Sequence, residues 1–168
     1  QLLRLNDDLS TTPLAPLVTP DPLSYTEYNG NVYWTNKTTI GWLPSDSDEA
    51  RPVGVPPPEV SPTLSVGSGA LLPGKYAVVL TYLDDRREEG GATPVQIIDL
   101  PNGGGITLNG LPMRAGWAFR VYITDPNGSK FHRSEELPAV FPSYTITQTA
   151  QGGDCDTQFL IPMPPGEF

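Results

Sequence analysis

Four carboxylates, Asp84, Asp85, Glu88 and Glu89, crowd one short stretch around Arg86 and Arg87. Clustered carboxylates are the hard oxygen ligands that calcium takes. The stretch has neither the spacing of an EF-hand loop nor a repeated aspartate motif, and its two arginines balance half of the charge. It reads as a solvated loop, as short charge runs generally do. The one cysteine, Cys155, stands between Asp154 and Asp156. Flanking carboxylates raise a thiol pKa and oppose the thiolate that a nucleophile needs, so no catalytic pair with the one histidine, His132, is expected. A single cysteine also excludes an internal disulfide and a cysteine-based zinc site. Asn102-Gly103-Gly104-Gly105 is glycine-rich but lacks the strand-to-helix setting and the lysine of a phosphate loop, and reads as a turn. Asn36-Lys37-Thr38 and Asn127-Gly128-Ser129 match the glycosylation sequon, which matters only in a eukaryotic secretory protein. The expectation is a non-enzymatic chain with no catalytic residue, no cofactor and no metal ligand.

Recognition chemistry is concentrated instead in Tyr25, Tyr28, Tyr33, Trp34 and Trp42. Strand alternation sends Tyr33 and Trp34 to opposite faces, so one face of this ribbon is buried and the other carries aromatics. Such a set can be the ribbon's own small core, a protein interface or a sugar-stacking platform. Two or three strands are not stable alone in water, so the ribbon needs something to pack on. The candidate interface residues in it are Tyr28, Tyr33, Trp34 and Trp42. Leu2, Leu3 and Leu5 near the start and Phe159, Leu160 and Ile161 near the end join them, because leaving each large side chain exposed forgoes about 1.5–3 kcal/mol.

The elements that hold these residues are read from composition and pattern. The 168 residues carry a net charge of −9, which repels phosphate backbones and anionic lipid; neither nucleic acid nor membrane is an expected partner. No apolar run approaches the roughly eighteen residues of a spanning helix, and no signal-peptide pattern is present. With 17 Gly and 20 Pro the chain is rich in turns, and helical periodicity is hard to find; Gln1 to Leu9 is the best candidate and is too short to hold alone. Prolines at 13, 16, 20 and 22 make residues 1–22 an extended N-terminal arm. Residues 23–43 form an aromatic β-hairpin segment, whose Asn29-Gly30 suits a type I′ turn, with a further strand from Thr38 to Leu43. Residues 44–61 are a Pro-rich linker, semi-rigid and extended. Residues 62–148 hold about seven short strands separated by turn signals, with Tyr76, Val78, Leu80 and Tyr82 on one face of the first long strand. Trp117, Phe119, Val121 and Ile123 share one face of another. That pattern indicates an antiparallel β-sandwich. Residues 149–168 are a Gly/Pro-rich C-terminal arm.

Leu72-Pro-Gly-Lys-Tyr76, Val78-Val-Leu-Thr-Tyr82, an acidic loop closing on Glu89-Gly-Gly-Ala-Thr-Pro94, Gly105-Ile-Thr-Leu-Asn-Gly-Leu-Pro112 and Phe119-Arg-Val-Tyr122 together resemble the fibronectin type III-like domains of bacteriophage tail and virion proteins. Tyr28-Asn-Gly-Asn-Val-Tyr-Trp34, followed by Arg51-Pro-Val-Gly-Val-Pro-Pro57, is also similar to phage virion proteins, in which such a hairpin can belong to a propeller-like β domain. The resemblance implies an all-β fold: an Ig/fibronectin type III-like sandwich with an N-terminal β-hairpin segment and Pro-rich arms. It implies a structural subunit or fragment of a phage tail, located in the virion, with other virion proteins or sister subunits as partners. Two other classes fit the residues as well. One is a carbohydrate-binding or adhesion module at a bacterial surface, with a host-surface glycan as partner; the other is an accessory domain of a larger secreted hydrolase.

Overall fold

The computed structural model describes residues 1–17 and 19–148. Its regular structure is all β, with no helix among the described residues. The chain divides into two compact units, Gln1–Gly54 and the part from Val55 onward.

In the first unit, β1 (Leu2–Leu5) and β2 (Thr11–Ala15) pair as an antiparallel hairpin. Residues 1–22 therefore contain a ribbon where their prolines suggest only an extended arm. Pro13 is tolerated because a two-stranded ribbon is all edge, and the turn is held by the Asn6 amide, which donates to Ser10 and Thr12. A meander follows: β3 (Ser24–Tyr28), β4 (Asn31–Thr35), β5 (Ile40–Leu43) and β6 (Arg51–Pro52), neighbours in that order. Asn29 and Gly30 have φ of 51° and 75°, the two positive values a type I′ turn requires. The next turn closes on Asn36, whose Oδ1 accepts from the Thr38 and Thr39 N–H groups. The strand β6 falls inside the 44–61 segment that composition marks as linker. Proline is admitted there because Pro52 sits on the sheet edge; residues 53–61 form no strand.

The second unit builds two facing sheets. The strands are β7 (Thr63–Leu71), β8 (Gly74–Leu83), β9 (Glu89–Ala92), β10 (Gln96–Leu100), β11 (Gly104–Asn109), β12 (Ala118–Thr124), β13 (Phe131–Pro138) and β14 (Ser143–Ile146). One sheet runs β10-β8-β12-β13, with β9 also on β8, and the other runs β14-β11-β7. All pairings are antiparallel. The register Tyr82↔Phe119, Leu80↔Val121 and Val78↔Ile123 stacks the two alternating runs on one face. That face packs on Leu71, Ile106, Leu108 and Ile146 of the other sheet, giving a sandwich-like core. Trp117 lies just outside β12 and is half-buried; its N–H donates to the Arg114 carbonyl and closes the turn through Ala115 and Gly116.

Two features depart from the sequence pattern. From Val79 onward the opposite face of β8 is as dry as the core face: Val79, Thr81 and Leu83 are all buried, and Val79 forms a satellite cluster with Ala92, Tyr122 and Phe131. The second is Gly67 to Gly69, which reads as a break but lies within β7. The reason is close approach: a Cβ at Gly69 would sit 2.7 Å from the Gly104 carbonyl oxygen and 2.9 Å from the Gly105 Cα. The glycines let β7 cross β11 where no side chain fits.

Phe119 is fully buried and lies between both sheets. Phe119→Ala is expected to destabilise the second unit by about 3–5 kcal/mol, read as a lower urea midpoint at unchanged slope.

Candidate interaction surface

The register of the first unit sorts its side chains. Tyr25 faces Trp34, Val32 faces Leu43 and Trp34 faces Gly41, so these share one side of the meander. Thr26, Tyr28, Tyr33, Ile40 and Trp42 share the other. On the first side Trp34 is 4% exposed. Its indole lies over Gly41, where any Cβ would collide with the ring. The indole Nε1–H is buried with no acceptor among the described residues. Beside it is an apolar cavity of about 390 Å³ whose walls include Leu2, Leu14, Leu23, Tyr25, Val32 and Leu43. On the second side the Tyr33 and Trp42 rings stack, with centroids 5.8 Å apart and planes 11° apart.

The residues expected at an interface fall into three groups. Trp34 is interior to its own unit, and Leu2 is half-buried at the cavity. Leu3, Leu5 and Tyr28 are exposed, while Tyr33 and Trp42 are half-buried on the stacked side. Phe159, Leu160 and Ile161 lie outside the described residues, as do Cys155 and the rest of the 149–168 arm. Tyr25 belongs to the aromatic set read from the sequence but not to its candidate interface residues, yet it is 77% exposed on the outermost strand. Its position at the edge follows from pairing order, which alternation alone does not reveal.

The acidic loop is tied up internally. Asp84 Oδ1 accepts the backbone N–H groups of Arg86 and Glu88, and Arg87 takes a positive φ of 69° to close the turn. Glu89 leaves the loop as part of β9. Its carboxylate accepts from Thr81 Oγ1 and the Tyr122 hydroxyl, each at 2.6 Å, and pairs with Arg120. Arg120 also holds Glu136 at 3.1 Å, and Glu136 in turn pairs with Arg87. These carboxylates therefore bind cations and donors of the same chain. No group of three or more ligating side chains occurs among the described residues. His132 Nε2 lies 3.3 Å from an Asp125 carboxylate oxygen.

No protein-family model matches the chain, and no curated protein matches it either.

The network has a clear electrostatic direction. Burial pulls the Arg120 pKa down, but hydrogen bonds to Glu89 and Glu136 outweigh it and the net shift is upward. Hydrogen bonding from Arg87 is the largest effect on Glu136; with help from Arg120 it overcomes burial and holds that carboxyl below its usual value. Elsewhere, burial pushes the Tyr82 phenol up, Glu59 adds to this and Arg114 opposes it.

A carboxyl with a depressed folded pKa stabilises the fold above its unfolded pKa, and loses that contribution as pH falls through the folded value. Wild type should therefore lose more stability than Glu136→Gln on acidification below the ordinary carboxylate range. At neutral pH the difference should be about 1 kcal/mol or less, since the pair is only partly screened from water. Urea melts of both chains across that pH window check this.

Proposed function

We propose that the chain is a non-enzymatic structural part of a phage tail or virion, in which the second unit is displayed and the first unit makes assembly contacts. The observation that carries the reading is the unequal burial of the two units. Among the described residues of the first unit, Trp34 is the only large apolar side chain that is buried, while Leu3, Leu5, Leu9, Tyr25, Tyr28, Ile40 and Val53 stay exposed. The second unit buries a contiguous two-sheet core. A domain normally has its own core, and a meander with aromatics on both sides lacks a layer. Contacts with other virion proteins or with sister subunits would supply it.

The finer fold reading is an Ig or fibronectin type III-like sandwich. Its support is the strand order: β10-β8-β12-β13 runs as C′-C-F-G would, with β7 and β11 paired in the facing sheet as B and E would be. The final strand β14 stands at the free side of β11, after the strand that would be G, which extends that pattern. The resemblance of Leu72 to Tyr82 and of Gly105 to Pro112 to phage fibronectin-like domains supports the virion setting.

Hydrogen exchange on the dilute, monomeric chain tests the reading. Slow exchange is expected in the second unit and fast exchange over residues 1–43. Tyr33→Ala with Trp42→Ala should leave the sandwich's urea midpoint unchanged and abolish incorporation into particles. Equal protection of both units in a monomer would overturn the assembly role, and glycan binding lost in the same double variant would replace it with an adhesion role.

A further inference from the structure

The outer strand of the meander, β3, is exposed at all five residues, and no strand pairs with its free edge among the described residues. Edge strands in natural proteins are usually blunted by proline, lysine, a bulge or a covering loop. Ser24-Tyr-Thr-Glu-Tyr28 has no proline or lysine, and its pairing with β4 runs without a register shift. Its one charge is Glu27.

Hairpin geometry says which backbone groups are available. The two-residue turn closes on the pair Tyr28↔Asn31, so Tyr28, Thr26 and Ser24 direct their N–H and C=O groups to β4. Tyr25 and Glu27 direct theirs to the free edge. We propose that β3 pairs antiparallel with β3 of a second copy of this chain, about a two-fold axis through Thr26. This inference rests on the assembly reading and names the surface and the partner.

Register decides the matter. Pairing about Thr26 sets Tyr25 against Glu27 of the copy, and Glu27 against its Tyr25. Those are the residues with outward-facing backbone groups, so both pairs close hydrogen-bonded rings. Thr26 meets Thr26 and Ser24 meets Tyr28 on the other face, and Thr–Thr is a favourable cross-strand pair. Every residue of β3 is used. Sliding the register by one step of the same parity toward the turn sets Glu27 against Glu27, a direct like-charge pair that is destabilising. The Thr26 register is the one that uses the whole strand and keeps the two carboxylates apart. Isologous pairing closes after two copies, so it yields a dimer rather than a fibre.

The test reads mass in solution and exploits the self-opposed residue. Wild type should sediment at twice 18.1 kDa as concentration rises. Thr26→Asp and Thr26→Lys each set like charges across the axis, and each should stay monomeric with an unchanged circular dichroism spectrum. Mixed in equal amounts they should recover a one-to-one dimer. Independently, Thr26→Cys in a Cys155→Ser background should oxidise to a covalent dimer, because a non-hydrogen-bonded antiparallel pair brings Cα atoms within disulfide range. Tyr28→Cys should not. A wild type that remains monomeric at high concentration, a Thr26→Lys variant that still dimerises, or failure of the Thr26→Cys cross-link would each overturn the pairing. A monomeric wild type whose ribbon becomes protected in assembled particles would overturn this pairing and leave the assembly reading standing.

Discussion

Tyr82 ties the second unit together, and the reason is the three different demands that one side chain meets. Its ring stacks on Phe119 at 5.5 Å and takes the edge of Trp117 at 5.4 Å. Its hydroxyl donates to the Pro112 carbonyl at 2.6 Å, so a buried polar tip is satisfied by a loop that would otherwise have to be held by other means. Arg114, from the same loop, lies over Trp117 with its guanidinium carbon 3.5 Å from the ring centroid. Core strand, partner strand and end loop are thus fixed to one another through one residue. Because β8 also pairs with β9, β10 and β12, whatever fixes β8 fixes most of the larger sheet.

The first unit follows the same local rules without the same result. Its alternation is regular, its type I′ turn is well formed and its strands pair in order, yet burial stops at Trp34. The difference is layers. In the second unit an inward face meets another inward face, whereas the meander has apolar groups on both sides and too little chain of its own to cover them. A cavity remains beside Trp34 because small hairpin strands cannot deliver enough side-chain volume to fill it. Local propensity can make a sheet, but only a second layer makes a core.

Much of this was legible from residue order. The alternation Tyr76-Val78-Leu80-Tyr82 and Trp117-Phe119-Val121-Ile123 named one face of each of two strands, and Asn29-Gly30 named the turn and its backbone conformation. What period-2 reasoning could not supply was pairing partners. Alternation puts Val79 and Thr81 on the other face of β8, and their burial depends on neighbours distant in sequence, Ala92 and Tyr122 for Val79 and Glu89 for Thr81. The hairpin of residues 2–15 was hidden by Pro13 and Pro16, since proline argues against a strand except at an edge, and edges are defined only once the sheet exists. The acidic stretch reads as a solvated loop, whereas Glu89 belongs to β9, and the salt bridge that draws it to Arg120 needs β12 alongside β8.

The placement of the three tryptophans has an optical consequence. Trp34 and Trp42 belong to the first unit, and Trp117 adjoins the second unit's core. Their surroundings differ in kind: one indole is buried with no acceptor for its N–H among the described residues, one lies against a phenol, and one sits beneath a cation. Intrinsic emission is therefore a composite of three chemically distinct reporters rather than three copies of one signal. Replacing Trp117 by phenylalanine would leave a spectrum that belongs wholly to the meander. Replacing the other two would leave one that belongs wholly to the sandwich, so each half of the chain carries its own built-in dye.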